Sequence, residues 1–161
     1  MKTMLSTIAF GAALVAVPAF AQVMASAEYV AAAGASDLYE ITSSKLVMTT
    51  TKNPKVRDFA QIMVDHHTKS TADVNAAAAK AKVNAPPPKL MPLQREQTAR
   101  LKAETATSRD AACIAQQKAS HDQALNLQKA YAMDGTAAPL KAAASNIVPA
   151  VEQHIAMLKT M

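Results

Sequence analysis

Apolar positions recur along this chain at the 3.6-residue spacing of helices, in four long segments. Between about Ser26 and Thr51 the stripe passes through Val30, Ala33, Asp37, Glu40, Ile41, Ser44 and Met48. From Pro54 to about Val83 it comprises Val56, Phe59, Met63, His67, Ser70 and Val74. A third helix over 109–133 carries Ile114, Gln117, His121, Ala124, Gln128 and Tyr131. A fourth, from Pro139 to the C-terminus, carries Leu140, Ile147, Val151, His154, Leu158 and Met161. Each stripe interrupts its apolar run with at least one polar residue.

The punctuation agrees with this division. Asn53-Pro54 places an N-cap before a proline at the first helical position. The segment NAPPPKLMP, residues 84–92, cannot be helical throughout and reads as a stiff linker. A short helix over 92–106 follows, and Ser108 is the expected N-cap of the third long helix, with Asp110 in its first turn. Asp134-Gly135 stops that helix. Pro149 is expected to kink the fourth and free the carbonyl of Ser145. The fold class is therefore all-α: an antiparallel four-helix bundle with a short extra helix before the third long one.

Composition strengthens the helical reading. Alanine, methionine, lysine, glutamine and leucine dominate, and beyond residue 21 the only glycines are Gly34 and Gly135. The first 21 residues have the form of a secretion signal. Lys2 supplies the positive end, Leu5 to Val17 the apolar run, and Ala19-Phe20-Ala21 the small-residue cleavage motif. Cleavage would leave residues 22–161 as a single exported domain of about 140 residues. The expected location is the periplasm, with no transmembrane anchor. Losing Lys2 would lower the formal net charge from +5 to +4. With Phe59 as the remaining phenylalanine, three tyrosines and no dense basic stripe, nucleic-acid binding is excluded as a function class. Cys113 is the single cysteine, so no intrachain disulfide can form. It reads as a small buried hydrophobe, or alternatively as the site of an intermolecular disulfide.

Candidate chemistry comes from the polar residues on the stripes. His67, His121, His154 and Glu40 each lie on the inner face of a different helix. His66 is turned by about 100° from His67 and is expected at a flank or in solvent. In an up-down-up-down bundle, the turns between helices 1 and 2 and between helices 3 and 4 share one end. Counted from that end, Glu40 lies 11 residues from Thr51, His67 13 from Pro54, His121 12 from Met133 and His154 15 from Pro139. That spread is about 6 Å along the axis, so all four can meet in one layer. Three imidazoles and a carboxylate fit one divalent metal such as zinc, iron or copper. The other reading is a metal-free cluster of hydrogen-bonded core residues.

Asp37, one turn before Glu40, is a second carboxylate or a polar residue near the surface, and is left out of the set. Three residues before the stripe histidines stand Val64, Lys118 and Val151, so the Glu-x-x-His pattern of di-iron bundles is missing. Haem attachment through Cys-x-x-Cys-His is excluded too. Met63 and Met157 flank His67 and His154 by a turn but stand about 14 Å apart along the axis on this count, and they read as core fillers. No nucleophile elbow, triad or phosphate loop can be read out, so no catalytic residues are assigned.

The segments NPKVRDFAQIMVDHHTKS, HDQAL and VPAVEQHIAMLK resemble the exported domain of unknown function 4142. The resemblance covers about residues 26–160 and is most specific around Asn53-Pro54, Phe59-Ala60, Met63-Val64 and His67. Glu40, Lys45-Leu46, Pro149 and His154 extend it. It implies a ferritin-like bundle in the cell envelope, with no established general activity. The family often has aspartate before its motif histidine, where this chain has His66 and Ser120. The expected function is non-enzymatic: a metal-binding bundle in metal handling or envelope stress. The alternative is a structural or interaction module, with an envelope protein or a second copy as partner.

Overall fold

A computed structural model describes residues 23–161 of the protein. The secretion signal expected over 1–21 lies outside the described residues. Those residues form five helices and no strand: α1 (Ser26–Met48), α2 (Pro54–Lys80), α3 (Pro92–Ala103), α4 (Ala106–Asp134) and α5 (Ala138–Leu158). None of these helices is long and apolar enough to cross a membrane.

The local signals mostly act as expected. Asn53 caps α2 by accepting a hydrogen bond from the Lys55 N–H at 3.0 Å, with Pro54 at the first position. At the far end of α2, Lys82 takes φ of 56° and the Val83 N–H donates to the Ala78 carbonyl at 2.9 Å, which closes the helix. The start of α4 corrects the expectation at Ser108. The helix begins three residues earlier, with Thr105 at the N-cap and Ser108 in the first turn. There the Ser108 hydroxyl accepts from the Thr105 N–H at 3.1 Å, the return half of a capping box. The α5 helix runs unbroken through Pro149.

The long helices form a helical bundle in which α1 packs on α2 and α4, and α5 packs on the same two. Its connectivity differs from the up-down-up-down order expected above. One apolar cluster joins Tyr29 and Val30 near the start of α1 with Ala77 and Ala78 at the end of α2, Tyr131 at the end of α4, and Leu140 at the start of α5. A second joins Val47 at the end of α1, Val56 at the start of α2, Leu101 near the end of α3, and Cys113 early in α4. The α1–α2 and α4–α5 turns therefore lie at opposite ends. The order is up, down, down, up.

The physical cause is the segment from residue 81 to α3, which is long enough to carry the chain back along the bundle. Pro88 crosses α1 at Gly34, where an added Cβ would stand 3.3 Å from the proline ring. Arg109 fastens the end of this crossover. Its guanidinium donates to the Leu101 carbonyl at 2.8 Å, the Glu104 carbonyl at 2.8 Å and the Thr50 hydroxyl at 3.0 Å. It thereby satisfies carbonyls left free at the end of α3. Packed by α3 as well as by α2 and α4, α1 buries Tyr29, Ala35, Tyr39, Ser43 and Val47 beyond the stripe expected for it; Tyr29 lies against Tyr131 of α4 and Val47 beside Leu101 of α3.

Candidate metal centre

Helical periodicity brings four side chains inward at mid-bundle: Glu40 from α1, His67 from α2, His121 from α4 and His154 from α5. All are buried, at 1%, 4%, 0% and 1% exposure. His67 and His121 sit near the middle of their helices, so the middle layer receives them whichever end the count starts from. His154 lies only one turn from the end of α5. It reaches the layer because Leu158, at that end, packs beside Phe59 and Met63 well inside α2. The height count therefore arrived at the right layer from the wrong connectivity.

The three imidazole rings stand at the corners of a nearly equilateral triangle. Their centroids are 5.7 Å apart for His67–His121, 5.5 Å for His67–His154 and 5.2 Å for His121–His154. One ring nitrogen from each lies within 4.8 Å of the other two. Tetrahedral zinc with bonds of about 2.0–2.1 Å separates its nitrogen ligands by about 3.3 Å. His121 Nε2 and His154 Nδ1 are already 3.3 Å apart. The remaining nitrogen needs an inward shift of no more than about 1.5 Å.

Each ring is held from behind. His67 Nδ1 is bonded to Asp37 Oδ1 at 2.8 Å, and Asp37 Oδ2 accepts from the Thr71 hydroxyl at 3.0 Å. That bond leaves His67 Nε2 buried with no hydrogen-bond partner. His121 Nδ1 donates to the Gln117 carbonyl at 2.9 Å, which makes Nε2 its lone-pair nitrogen. His154 Nε2 lies 2.8 Å from His66 Nδ1. A carboxylate or carbonyl behind each ligating ring is the usual support of a histidine metal site.

Glu40 is in the layer but not in the compact set. Its Oε1 is 4.0 Å from His121 Nδ1, on the ring edge that bonds Gln117 rather than the edge facing His154. Neither of its oxygens has a hydrogen-bond partner. Burial pushes its carboxyl up to about 7, against the pull of nearby His67. Burial alone would lower His67, but the Asp37 hydrogen bond and the charges of Glu40 and Asp37 outweigh it and raise the group. Burial, reinforced by His67, holds His121 down at about 4 and His154 at about 3. Two imidazoles with depressed proton affinity thus face one whose affinity is raised.

Sequence reasoning passed over two residues of this layer. Asp37 is fully inside, and the signal for it was present: it precedes Glu40 by one turn on the same stripe. His66 is exposed as expected, yet its ring reaches His154 across the α2–α5 boundary, which no single-helix pattern reveals. Cys113 is buried in the cluster below the layer, and burial raises its thiol to about 12.

Fold and site together define a helical-bundle protein with a buried cluster of three histidines. The chain belongs to the family described as domain of unknown function (DUF4142), whose model matches residues 12–161. Neither a curated protein nor a solved structure matches it.

Proposed function

We propose that this is an exported periplasmic protein, a ferritin-like antiparallel four-helix bundle, that binds one divalent transition metal through His67, His121 and His154 and serves in metal handling. The observation that carries the reading is the unpartnered, buried Nε2 of His67, held by Asp37 beside two further imidazole donors. A buried polar atom left unpaired costs about 1–3 kcal/mol, which a bound cation would recover. Charge points the same way. Asp37 and Glu40, outside the ligand set, bring two carboxylates into a layer whose imidazole ligands are neutral when bound, which balances a divalent ion. Imidazole donors suit zinc, copper or iron. The single long crossover between the second and third long helices is the connection found in ferritin-like bundles.

The test is elemental analysis of protein purified without tag or chelator, followed by titration with zinc, iron and copper. About one equivalent is expected, lost in the His67→Ala/His154→Ala double variant while helicity stays high. Equal binding by wild type and double variant would refute the assignment.

A specific contact favours a second reading. His154 Nδ1 reaches His121 Nε2 at 3.3 Å, so two of the rings satisfy each other with no ion between them. On that basis the cluster orders an alanine-rich core, and the protein is a structural or interaction module of the envelope. No metal uptake on reconstitution would establish this reading over the first.

A further inference from the structure

The hydrogen-bond accounting around His154 gives His66 a task that its exposed position conceals. His121 Nδ1–H donates to the Gln117 carbonyl, so His121 Nε2 carries a lone pair. The 3.3 Å contact to His154 then requires an N–H at His154 Nδ1. A neutral His154 in that form has its lone pair on Nε2, and the 2.8 Å contact to His66 must be donated by His66 Nδ1–H. A metal in the triangle needs the opposite arrangement at His154, with the lone pair on Nδ1 and the proton on Nε2.

We infer that His66 is the positioning residue that lets His154 ligate: it donates to His154 in the metal-free protein and accepts from it in the loaded one. This rests on the metal-binding reading above. The proton count closes with no net release from this pair. The Nδ1 proton of His154 leaves, His66 Nδ1 passes its proton to His154 Nε2, and His66 Nε2 takes one from water.

The geometry gives His66 access to solvent. His66, Ser70, Asn146, Ile147, Ala150 and His154 line a cleft of about 220 Å³ between α2 and α5, open to solvent. It is also the path by which an ion would reach the rings. Ser70, whose hydroxyl is buried and unpartnered, belongs to the same lining. A buried ring in place of His66 could not exchange its proton this way. An aspartate there could accept in the loaded state but could not donate in the empty one.

The experiment compares Zn2+ affinity, by competition with a chromophoric chelator, for wild type, His66→Ala and His66→Asn. The alanine variant should bind 10–100-fold more weakly at unchanged helicity, in the range known for lost outer partners of metal ligands. Asparagine places an amide near the Nδ1 position and can turn to donate or accept, so it should recover most of the loss. Long-range 15N–1H spectra of the wild type provide a second readout, one that a merely structural role would not move. His154 should carry its proton on Nδ1 without zinc and on Nε2 with zinc. Wild-type affinity in His66→Ala, or an unchanged His154 tautomer on loading, would overturn the inference while leaving metal binding intact. A wild type that binds no zinc would remove the metal reading itself.

Discussion

Where α1 and α5 begin, Tyr29 stacks on Tyr131 with centroids 3.9 Å apart and planes within 11°. Each hydroxyl donates to an oxygen, Tyr29 to Gln128 and Tyr131 to Ser26, both at 2.7 Å. Leu140, Ala78 and Ala144 fill the space around them with no exposure at all. Three turns along α1, in the layer of Glu40 and His67, burial is as complete and the accounting is opposite. Glu40, His67, Ser70 and Gln117 all keep buried polar atoms without partners. The first layer is satisfied and the second is held ready for something, although the same four helices build both. Stability is concentrated where polar atoms are paired, and binding chemistry where they are not.

The sharpest way to break that contrast is to damage the satisfied layer. Tyr131→Ala removes a stacked ring from a site that is 2% exposed, leaving a cavity and an orphaned Tyr29 face. The expected loss is about 3–5 kcal/mol in urea denaturation. Zinc affinity of the molecules that remain folded should be unchanged. A matching fall in affinity would mean that the two layers are one cooperative unit.

Damage to the other layer should have the reverse sign. Glu40→Gln replaces a carboxyl raised to about 7 with an amide that never ionises. At pH 8 the metal-free variant should be more stable than wild type by about 3 kcal/mol, on the order expected for a shift of that size in a fully buried group. At pH 4.5 the two should be alike. Zinc binding should weaken, because the second carboxylate is lost. A variant less stable at pH 8 would show that Glu40 is paired in solution.

The metal-free protein should also carry its own pH signature. Glu40 and His67 hold protons more tightly folded than unfolded, so what they contribute is present at low pH and lost as pH rises through their folded values. His121 and His154 are depressed, so their contribution is present above 6.5 and lost as pH falls toward 4 and 3. Between 4.5 and 6.5 two histidines oppose one glutamate, and unfolding takes up about one net proton. Above 6.5 both remaining groups act to lower stability. Urea midpoints should therefore peak near pH 6.5 and decline on either side. Saturating zinc should abolish the alkaline decline, since the ion favours the deprotonated ligands. A flat profile from pH 5 to 8 would place these histidines in contact with water.

How far the sequence revealed this depends on which residue is considered. All six positions expected on the α2 stripe are buried, because that helix has partners on one broad side only. Ile41 and Met48 of α1 are only half buried, because α3 and the linker draw Tyr39 and Val47 inward instead. Local period cannot report a neighbour that arrives from elsewhere in the chain. The connectivity was hidden for the same reason. The proline-rich segment marks a break, and its length permits either direction of return. His67, His121 and His154 were legible as polar interruptions of apolar stripes. His66 was not, since its partner lies 88 residues away on another helix.

The smallest effect expected anywhere tests the outer surface against both layers. Lys129 and Glu152 pair across α4 and α5 at 2.7 Å, with about half of each side chain exposed. They lie close in sequence to Gln128, which is part of the satisfied layer, and to His154, which is part of the other. An exposed pair of this kind contributes at most about 1 kcal/mol and weakens with salt, because water screens the attraction and two long side chains lose freedom. Lys129→Ala should shift the urea midpoint slightly at low salt and not at all near 1 M, with zinc affinity unchanged. An effect above about 2 kcal/mol would mean that the α4–α5 seam transmits strain inward. The separation of paired and unpaired layers would then be a property of the whole seam rather than of the residues that line it.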